Sequence, residues 1–290
     1  MARWDAVPRQ DGRRFVVTGA SSGLGMETAR VLAEQGAEVV LAVRNPTKGE
    51  DVARSMTGTV EVRRLDVSDL SSVREFAADL GPVDVLINNA GVMAVPYART
   101  VDGFETQLGT NHLGHFALTN LLLPSITDRV VVISSDAHKR GEVDLDDLSW
   151  ERRAYKPFRA YRASKLENLL FLLELDRRLR AVASTVRAVG SHPGSTATAI
   201  TGNTGNRLKT WVGSWGHRLA GMPLRKGALT TLYAATMDIP GNTFIGPDGF
   251  REMRGWPTEV ERSPRALDAD LARGLWAKSE ELTGVRFPLS

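Results

Sequence analysis

Short β-branched runs alternate with helix-like stretches along most of the chain. No other feature narrows the fold as much. The strand candidates are "RFVVTG" (14–19), "EVVLAV" (38–43), "VEVRRLDV" (60–67), "VDVLINNAG" (83–91), "RVVVISS" (129–135), "TVRAVGSHPG" (185–194) and a short "NTFIG" (242–246). Helix-like segments lie between them, near 24–35, 69–80, 103–123, 161–182 and 224–237, with a last one near 265–282. Strand, helix, strand in repetition calls for parallel strands joined by crossover helices. The strands read as continuous apolar runs, as they do in a sheet buried on both faces. The expected architecture is α/β, a doubly wound parallel sheet of about seven strands with helices on both faces. No repeat, low-complexity tract or linker divides the chain, so 1–290 reads as one domain.

The first strand runs into "TGASSGLG", where Gly19, Gly23 and Gly25 sit at a strand-to-helix turn. Glycines there permit positive φ and bring backbone close to a pyrophosphate. The free N–H groups of the new helix favour that anion. The spacing is G-x-x-x-G-x-G, not the commoner G-x-G-x-x-G, but the strand-turn-helix setting is the one a Rossmann dinucleotide site requires. A tight turn without a ligand is the plain alternative. "GASSG" also fits the G-x-S-x-G nucleophile elbow, with Ser21 as a hydrolase nucleophile. Against that, Gly25 goes unexplained and no histidine is placed by a motif.

The second strand ends at Val43, and Arg44 follows. An acid at this place binds a ribose 2′-hydroxyl, whereas an arginine accommodates a 2′-phosphate. NADP(H) is therefore expected in preference to NAD(H), with Lys48 nearby. Asp66 ends the third strand. It either contacts an adenine amino group or caps the next helix, for which Ser68 and Asp69 also qualify. The "NNAG" ending the fourth strand, at 88–91, either ties loops together or reaches a ribose.

Composition excludes several function classes. The chain has no cysteine, so disulfides, thiolate zinc sites and thiol nucleophiles drop out. Net charge is only +3 without a long basic block, which gives no nucleic-acid footprint. The start has no signal-peptide core, and no run approaches a membrane span. The expected location is cytoplasmic. His112 and His115 lack a third ligand of matching spacing, so packing is preferred to a metal site. "DLDDL" (144–148) lacks the calcium-loop glycine.

The remaining chemistry lies at the carboxyl ends of the strands, where open α/β sheets bind ligands. "ISS" (133–135) ends the fifth strand, "YRASK" (161–165) heads the next helix, and "GTN" (109–111) lies in the preceding one. Tyr161 and Lys165 are one turn apart on a shared face. An ammonium beside a phenol favours phenolate, which predicts an acidified Tyr161.

With TGASSGLG, LDVSD, NNAG, GTNHLGHF, ISS, YRASK and HPG in this order from about residue 14 to 198, the chain resembles the short-chain dehydrogenase/reductase family. "AVRNPTKGE", "VVVISSDAH" and "LGHF" place it nearest the retinol dehydrogenase and WW-domain oxidoreductase branch. The resemblance implies a single-domain Rossmann fold and hydride transfer between a nicotinamide and a carbonyl or alcohol. It implies Tyr161 as general acid/base, Lys165 also on the nicotinamide ribose, Ser135 rather than Ser134 on the substrate oxygen, and Asn111 anchoring a water of a proton relay. Cofactor contacts are implied at Ser21, Ser22, Leu24, Val67, Asn89, Ala90 and Gly91. Pro193, Gly194 and Thr198, with Thr196 a weaker candidate, are implied at the carboxamide. A nucleotide-sensing regulator of the same fold is the other reading, although a sensor needs no general acid.

Two segments break the strand-helix rhythm. Residues 136–160 are a charged insertion. Residues 201–223, Gly-rich with Trp211 and Trp215, read as a substrate lid over an apolar small molecule. The helices at 103–123 and 161–182 are apolar on more than one side. Either they pair across a homodimer or this chain's own tail covers them.

Overall fold

A computed structural model describes Trp4 and residues 6–195 and 223–289. Within these residues the strands form an eight-stranded sheet of order β3-β2-β1-β4-β5-β6-β7-β8. They are β1 (Arg14–Thr18), β2 (Glu38–Val43), β3 (Thr59–Arg64), β4 (Val83–Asn88), β5 (Ile126–Ile133), β6 (Arg187–Ser191), β7 (Phe244–Pro247) and β8 (Pro257–Glu259). All neighbours pair in parallel except β7 with β8. The order reverses at β1, whose neighbours are β2 and β4, and a ligand crevice belongs at that reversal.

The pleat sends alternate residues of each strand to opposite cores. Phe15, Val17, Leu41 and Ile87 face one core, which α1 (Gly23–Glu34) and α7 (Leu224–Thr236) cover. Val16, Val40, Leu86 and Val132 face the other. That second face is covered by α3 (Leu70–Ala78), by a helical stretch from Thr106 to Leu122, and by the long helix α6 (Pro157–Ala181). The stretch from Thr106 has three parts: α4 (Thr106–Leu108), a π-helical turn Gly109–Leu113, and α5 (Gly114–Leu122). Gly114 is required because a Cβ there would collide with the carbonyl oxygen of Val67.

Two elements extend the sequence reading. Helix α2 (Pro46–Ala53) is capped by Asn45, which accepts from Lys48 N. Strand β8 brings the sheet to eight strands rather than about seven. Strand β4 stops at Asn88, so Asn89–Gly91 are loop, and α6 starts four residues before Tyr161.

The apolar outer faces of α5 and α6 are covered by the chain's own last helix, α8 (Ala269–Thr283). Trp276 stacks on Phe171 at 5.7 Å and meets Phe116 edge-on at 4.9 Å. The Arg178 guanidinium lies over its outer ring at 4.5 Å. The tail thus occupies the surface considered for a homodimer through 103–123 and 161–182. Among the described residues no helix is long and apolar enough to cross a membrane.

Helix α6 also carries Glu167, 3 % exposed, whose Oε2 has no hydrogen-bond partner. Burial first, and the nearby Glu105 second, push its carboxyl up from 4.5 to about 8. Below the lower value the group is neutral whether the chain is folded or not. Between the two values only the unfolded chain ionises, so stability falls as pH rises through that window and is flat above it. Glu167→Gln should remove this slope. Thermal melts from pH 5 to 9 should then show the wild type losing up to about 1.4 kcal/mol per pH unit relative to the variant. Parallel melting curves would contradict the assignment.

Candidate active site

The site begins at the turn from β1 into α1. Gly19 and Gly23 adopt φ of +67° and +59°, a region that other residues occupy only with strain. A Cβ on Gly19 would lie 2.9 Å from Ala90 Cα. One on Gly25 would lie 2.7 Å from Gly19 O and collide with Asn89 Nδ2. The first turn of α1 carries no acidic residue, and Ser22 at its N-cap makes no side-chain cap bond. The leading N–H groups of a 12-residue helix are thereby left for an anion. Leu24 is buried under the turn.

Thr18 fastens this turn to the end of β4. Its hydroxyl accepts from Asn89 N and Ala90 N, both at 2.9 Å. Asn89 Nδ2 donates to Thr18 O at 2.7 Å, and Asn88 Nδ2 donates to Thr119 Oγ1 at 2.8 Å. The paired asparagines therefore tie elements together, with Asn89 at the cradle wall. Asp66 Oδ1 accepts from Ser68 N and Ser68 Oγ, whereas Asp69 caps α3. Arg44 is exposed just beyond β2, and its guanidinium has no partner among the described residues.

The cleft continues from Ala90 to Gly91, where a Cβ would lie 3.1 Å from Asn111 Oδ1 and 3.8 Å from Lys165 Nζ. Lys165 is 6 % exposed; its ammonium donates to Ile133 O at 3.3 Å and lies 5.8 Å from the Tyr161 ring centre. Burial pushes Lys165 down to about 8. Ser135 Oγ accepts from Ala137 N and is hydrogen-bonded to the Tyr161 phenol. Ser134 Oγ is committed to Lys165 O at 2.7 Å. Ser135, Tyr161 and Lys165 therefore meet beside Gly91.

The phenol is not acidified. Burial raises Tyr161 above its ordinary value, and the bond to Ser135 opposes this only in part. The ammonium expected to stabilise phenolate is itself disfavoured by the same dry surroundings.

Asn111 has several partners in the structure. Its Oδ1 accepts from Val92 N at 2.8 Å, and its two Nδ2 hydrogens go to Val92 O and Ser164 Oγ, both at 2.9 Å. Its carbonyl oxygen is 3.2 Å from His115 Nδ1. The side chain is thus also a clamp on the loop after β4, with both its hydrogens committed there and to Ser164.

The four described histidines have other partners than Ser21. His112 meets Ser279, His115 meets Thr18, His138 meets Ser135 O, and His192 meets Glu252. Burial holds His112 and His115 down, to about 3 and about 4, so both are neutral packing groups. No base reaches Ser21 among the described residues, and the hydrolase reading finds no support.

Past β6, His192 Nε2 donates to Glu252 Oε2 at 3.0 Å, and its Nδ1 accepts from Gly194 N at 3.3 Å. Gly194 has φ of +66°, and a Cβ there would lie 2.7 Å from Met253 O. Pro193 and Gly194 thus have a fixed place beside the sheet. Thr196, Thr198 and residues 201–222 of the expected lid lie outside the described residues. Gln107, Tyr155 and Glu252 organise the site without belonging to any motif read from the sequence. Thr18 opens the TGASSGLG motif, but its tie to the end of β4 carried no signal there.

A glycine cradle at the β1 turn, joined through Ala90 and Gly91 to a buried lysine and a half-buried serine and tyrosine, is the arrangement of a dinucleotide-dependent oxidoreductase. The short chain dehydrogenase family model matches residues 13–209, and the chain belongs to that family, in its retinol dehydrogenase-like branch. It is 40% identical to human retinol dehydrogenase 13 over 300 residues, covering 96% of this chain and 86% of that protein. It is 41% identical to human retinol dehydrogenase 12 over 293 residues, covering 95% and 88%. A crystal structure of an uncharacterised protein from Mycobacterium paratuberculosis matches with a TM-score of 0.88 and 52% identity, over 99% of this chain and 100% of that one. Family membership brings a nicotinamide dinucleotide cofactor, and the free N–H groups and cramped glycines fit its pyrophosphate.

Gly25→Ala should therefore weaken NADPH binding by about tenfold or more, the equivalent of about 1.4 kcal/mol, as read by fluorescence titration. Binding within twofold of wild type would show that the close approach at Gly25 does not shape the cradle.

Proposed function

We propose that the protein is an NADP(H)-dependent oxidoreductase interconverting a carbonyl and an alcohol, with Tyr161 as the general acid/base. The supporting observation is the contact path from Gly19 through Ala90 and Gly91 to Lys165 Nζ. Lys165 stands one turn along α6 from Tyr161, whose half-buried phenol is paired with Ser135, and this supports reading the phenol as part of the same crevice.

The raised Tyr161 keeps its proton at neutral pH, which suits proton donation during carbonyl reduction. The nicotinamide, when bound, supplies or accepts the hydride. In the reducing direction a hydride reaches the carbonyl carbon, and the Tyr161 proton goes to the oxygen. The C=O π bond becomes a C–H and an O–H bond. Ser135 Oγ, already bonded to the phenol, holds that oxygen in line. Lys165 fixes the helix turn against Ile133 O and directs its positive end toward the crevice. Burial excludes water and strengthens each of these polar interactions.

The preference for NADP(H) rests on Arg44, exposed just after β2 and without a partner among the described residues, where a guanidinium suits a 2′-phosphate. The substrate is assigned as an apolar alcohol or aldehyde. The relatives are retinol dehydrogenases by name, and Phe158, 57% exposed, stands three residues before Tyr161 on α6.

Tyr161→Phe should lower turnover of decanal or retinal by about 10²–10⁴-fold while NADPH still binds. Full turnover in the variant would refute the assignment. Arg44→Ser should raise the NADPH dissociation constant about tenfold, equivalent to one lost charge-assisted contact, and leave NADH unaffected. Equal changes for both cofactors would remove Arg44 from the 2′-phosphate.

A further inference from the structure

The loop after β4, residues 92–97, continues directly from Gly91, which lies beside Lys165 and Asn111, and so runs on from the cleft. It is irregular backbone, with Ala94 at φ of +53°. Such a loop does not hold its own shape, because strands and helices supply none of its hydrogen bonds. Side chains from elsewhere supply them instead. Asn111 clamps Val92 at both its N–H and its carbonyl. Gln107 Oε1 accepts from Ala94 N at 2.8 Å. The single Tyr155 hydroxyl proton lies between two acceptors at 3.0 Å, Val95 O and Glu105 Oε1.

Gln107 is fully buried, and every polar position on its carboxamide is used. Its Nε2 donates to Tyr155 Oη at 2.8 Å and to Pro157 O at 3.0 Å. The amide orientation is fixed by this count, since Ala94 N needs an acceptor and Pro157 O needs a donor. Pro157 is the first residue of α6, and Tyr161 stands one turn further on. One side chain therefore spans this loop and the first turn of the helix carrying the phenol.

The clamp is held from behind. Glu105 Oε1 and Oε2 accept from Gln107 N at 2.9 Å and Leu108 N at 2.8 Å, which fixes the start of α4. The same carboxylate faces Tyr155 Oη. Burial raises the Tyr155 phenol, so its proton stays in place for the clamp. Tyr97, at the far end of the loop, packs edge-on against Tyr155 at 5.1 Å. None of the hydrogen bonds of Gln107 or Tyr155 reaches the glycine cradle or Arg44.

We propose that Gln107 and Tyr155 are positioning residues that set the substrate-side wall, residues 92–97, against the first turn of the Tyr161 helix. The proposal rests on the reading of Tyr161 as general acid. Its signature is loss of substrate alignment with the cofactor site intact, because the two sets of contacts are separate.

The test uses the full chain, NADPH and decanal. Gln107→Leu keeps the volume and removes all three side-chain bonds. It should lower kcat/KM about 10–100-fold, the range that a displacement of about 1 Å at a reacting centre produces. The NADPH dissociation constant should stay within twofold. The primary isotope effect on kcat with NADPD should rise, since misalignment slows hydride transfer and no other step. Tyr155→Phe removes one hydroxyl and should show the same pattern at about 3–10-fold; it decides the matter by the same readouts if Gln107→Leu does not fold. Wild-type kcat/KM and isotope effect in a folded variant would overturn the proposal. So would an equal loss of NADPH binding and turnover at an unchanged isotope effect, which marks general destabilisation. Tyr161→Phe, run alongside, separates the two readings. If it abolishes turnover while the Gln107 and Tyr155 variants are normal, the positioning role alone is wrong. If it leaves turnover intact, the general-acid reading has failed first.

Discussion

One buried hydroxyl, that of Thr18, joins the nucleotide turn to everything on the other side of the crevice. It accepts two backbone N–H groups, from Asn89 and Ala90, and these fill its lone pairs. Its own proton has two acceptors in reach, His115 Nε2 at 2.9 Å and Ile87 O at 3.4 Å. His115 Nδ1 can only donate to the backbone oxygen of Asn111, so in the neutral ring Nε2 is the acceptor facing Thr18. Burial keeps the imidazole neutral, so the relay of bonds keeps its direction across the ordinary pH range. From Asn111 it continues to Val92 and, through Ser164, to Tyr161 O. The cradle and the phenol are therefore held in one frame by uncharged groups. A charged frame in the same dry surroundings would incur a desolvation penalty at every link.

The dry surroundings also set the chemistry. Tyr161 and Lys165 are both shifted toward their neutral forms, for the same reason. Spacing in a helix says that two side chains share a face; it does not say how much water reaches them. A solvated pair at that spacing would favour the phenolate. Here burial raises the phenol and the bond to Ser135 opposes it only in part, so Tyr161 is shifted toward its protonated form.

Much of the fold was legible because a sheet buried on both faces leaves uninterrupted apolar runs, and β1, β2, β4 and β5 are such runs. Strand β8 was not, since three residues, "PTE", carry no periodicity. Helix α2 was passed over because Gly49 is its only buried residue, although Asn45 and Pro46 spell a helix start. The glycine turn, Ser135, Tyr161 and Lys165 were legible as strand-end and helix-start residues in a fixed order. The Glu105–Gln107–Tyr155 group was not. Tyr155 lies far along the chain from Glu105 and Gln107, and Gln107 and Tyr155 grip backbone atoms of residues 94–95; a backbone atom leaves no mark on a residue pattern. Asn111 was located, but its grip on Val92 was not, because motif order does not reveal which hydrogens of a carboxamide are already taken.

Trp276 has a consequence for how the molecule comes into being. It packs against both Phe116 and Phe171, which also meet each other, yet it is made after both. Until α8 emerges during synthesis, the rings on α5 and α6 lack their covering tryptophan. For that interval the nascent chain offers a ring-lined seam to chaperones or to a neighbouring polypeptide.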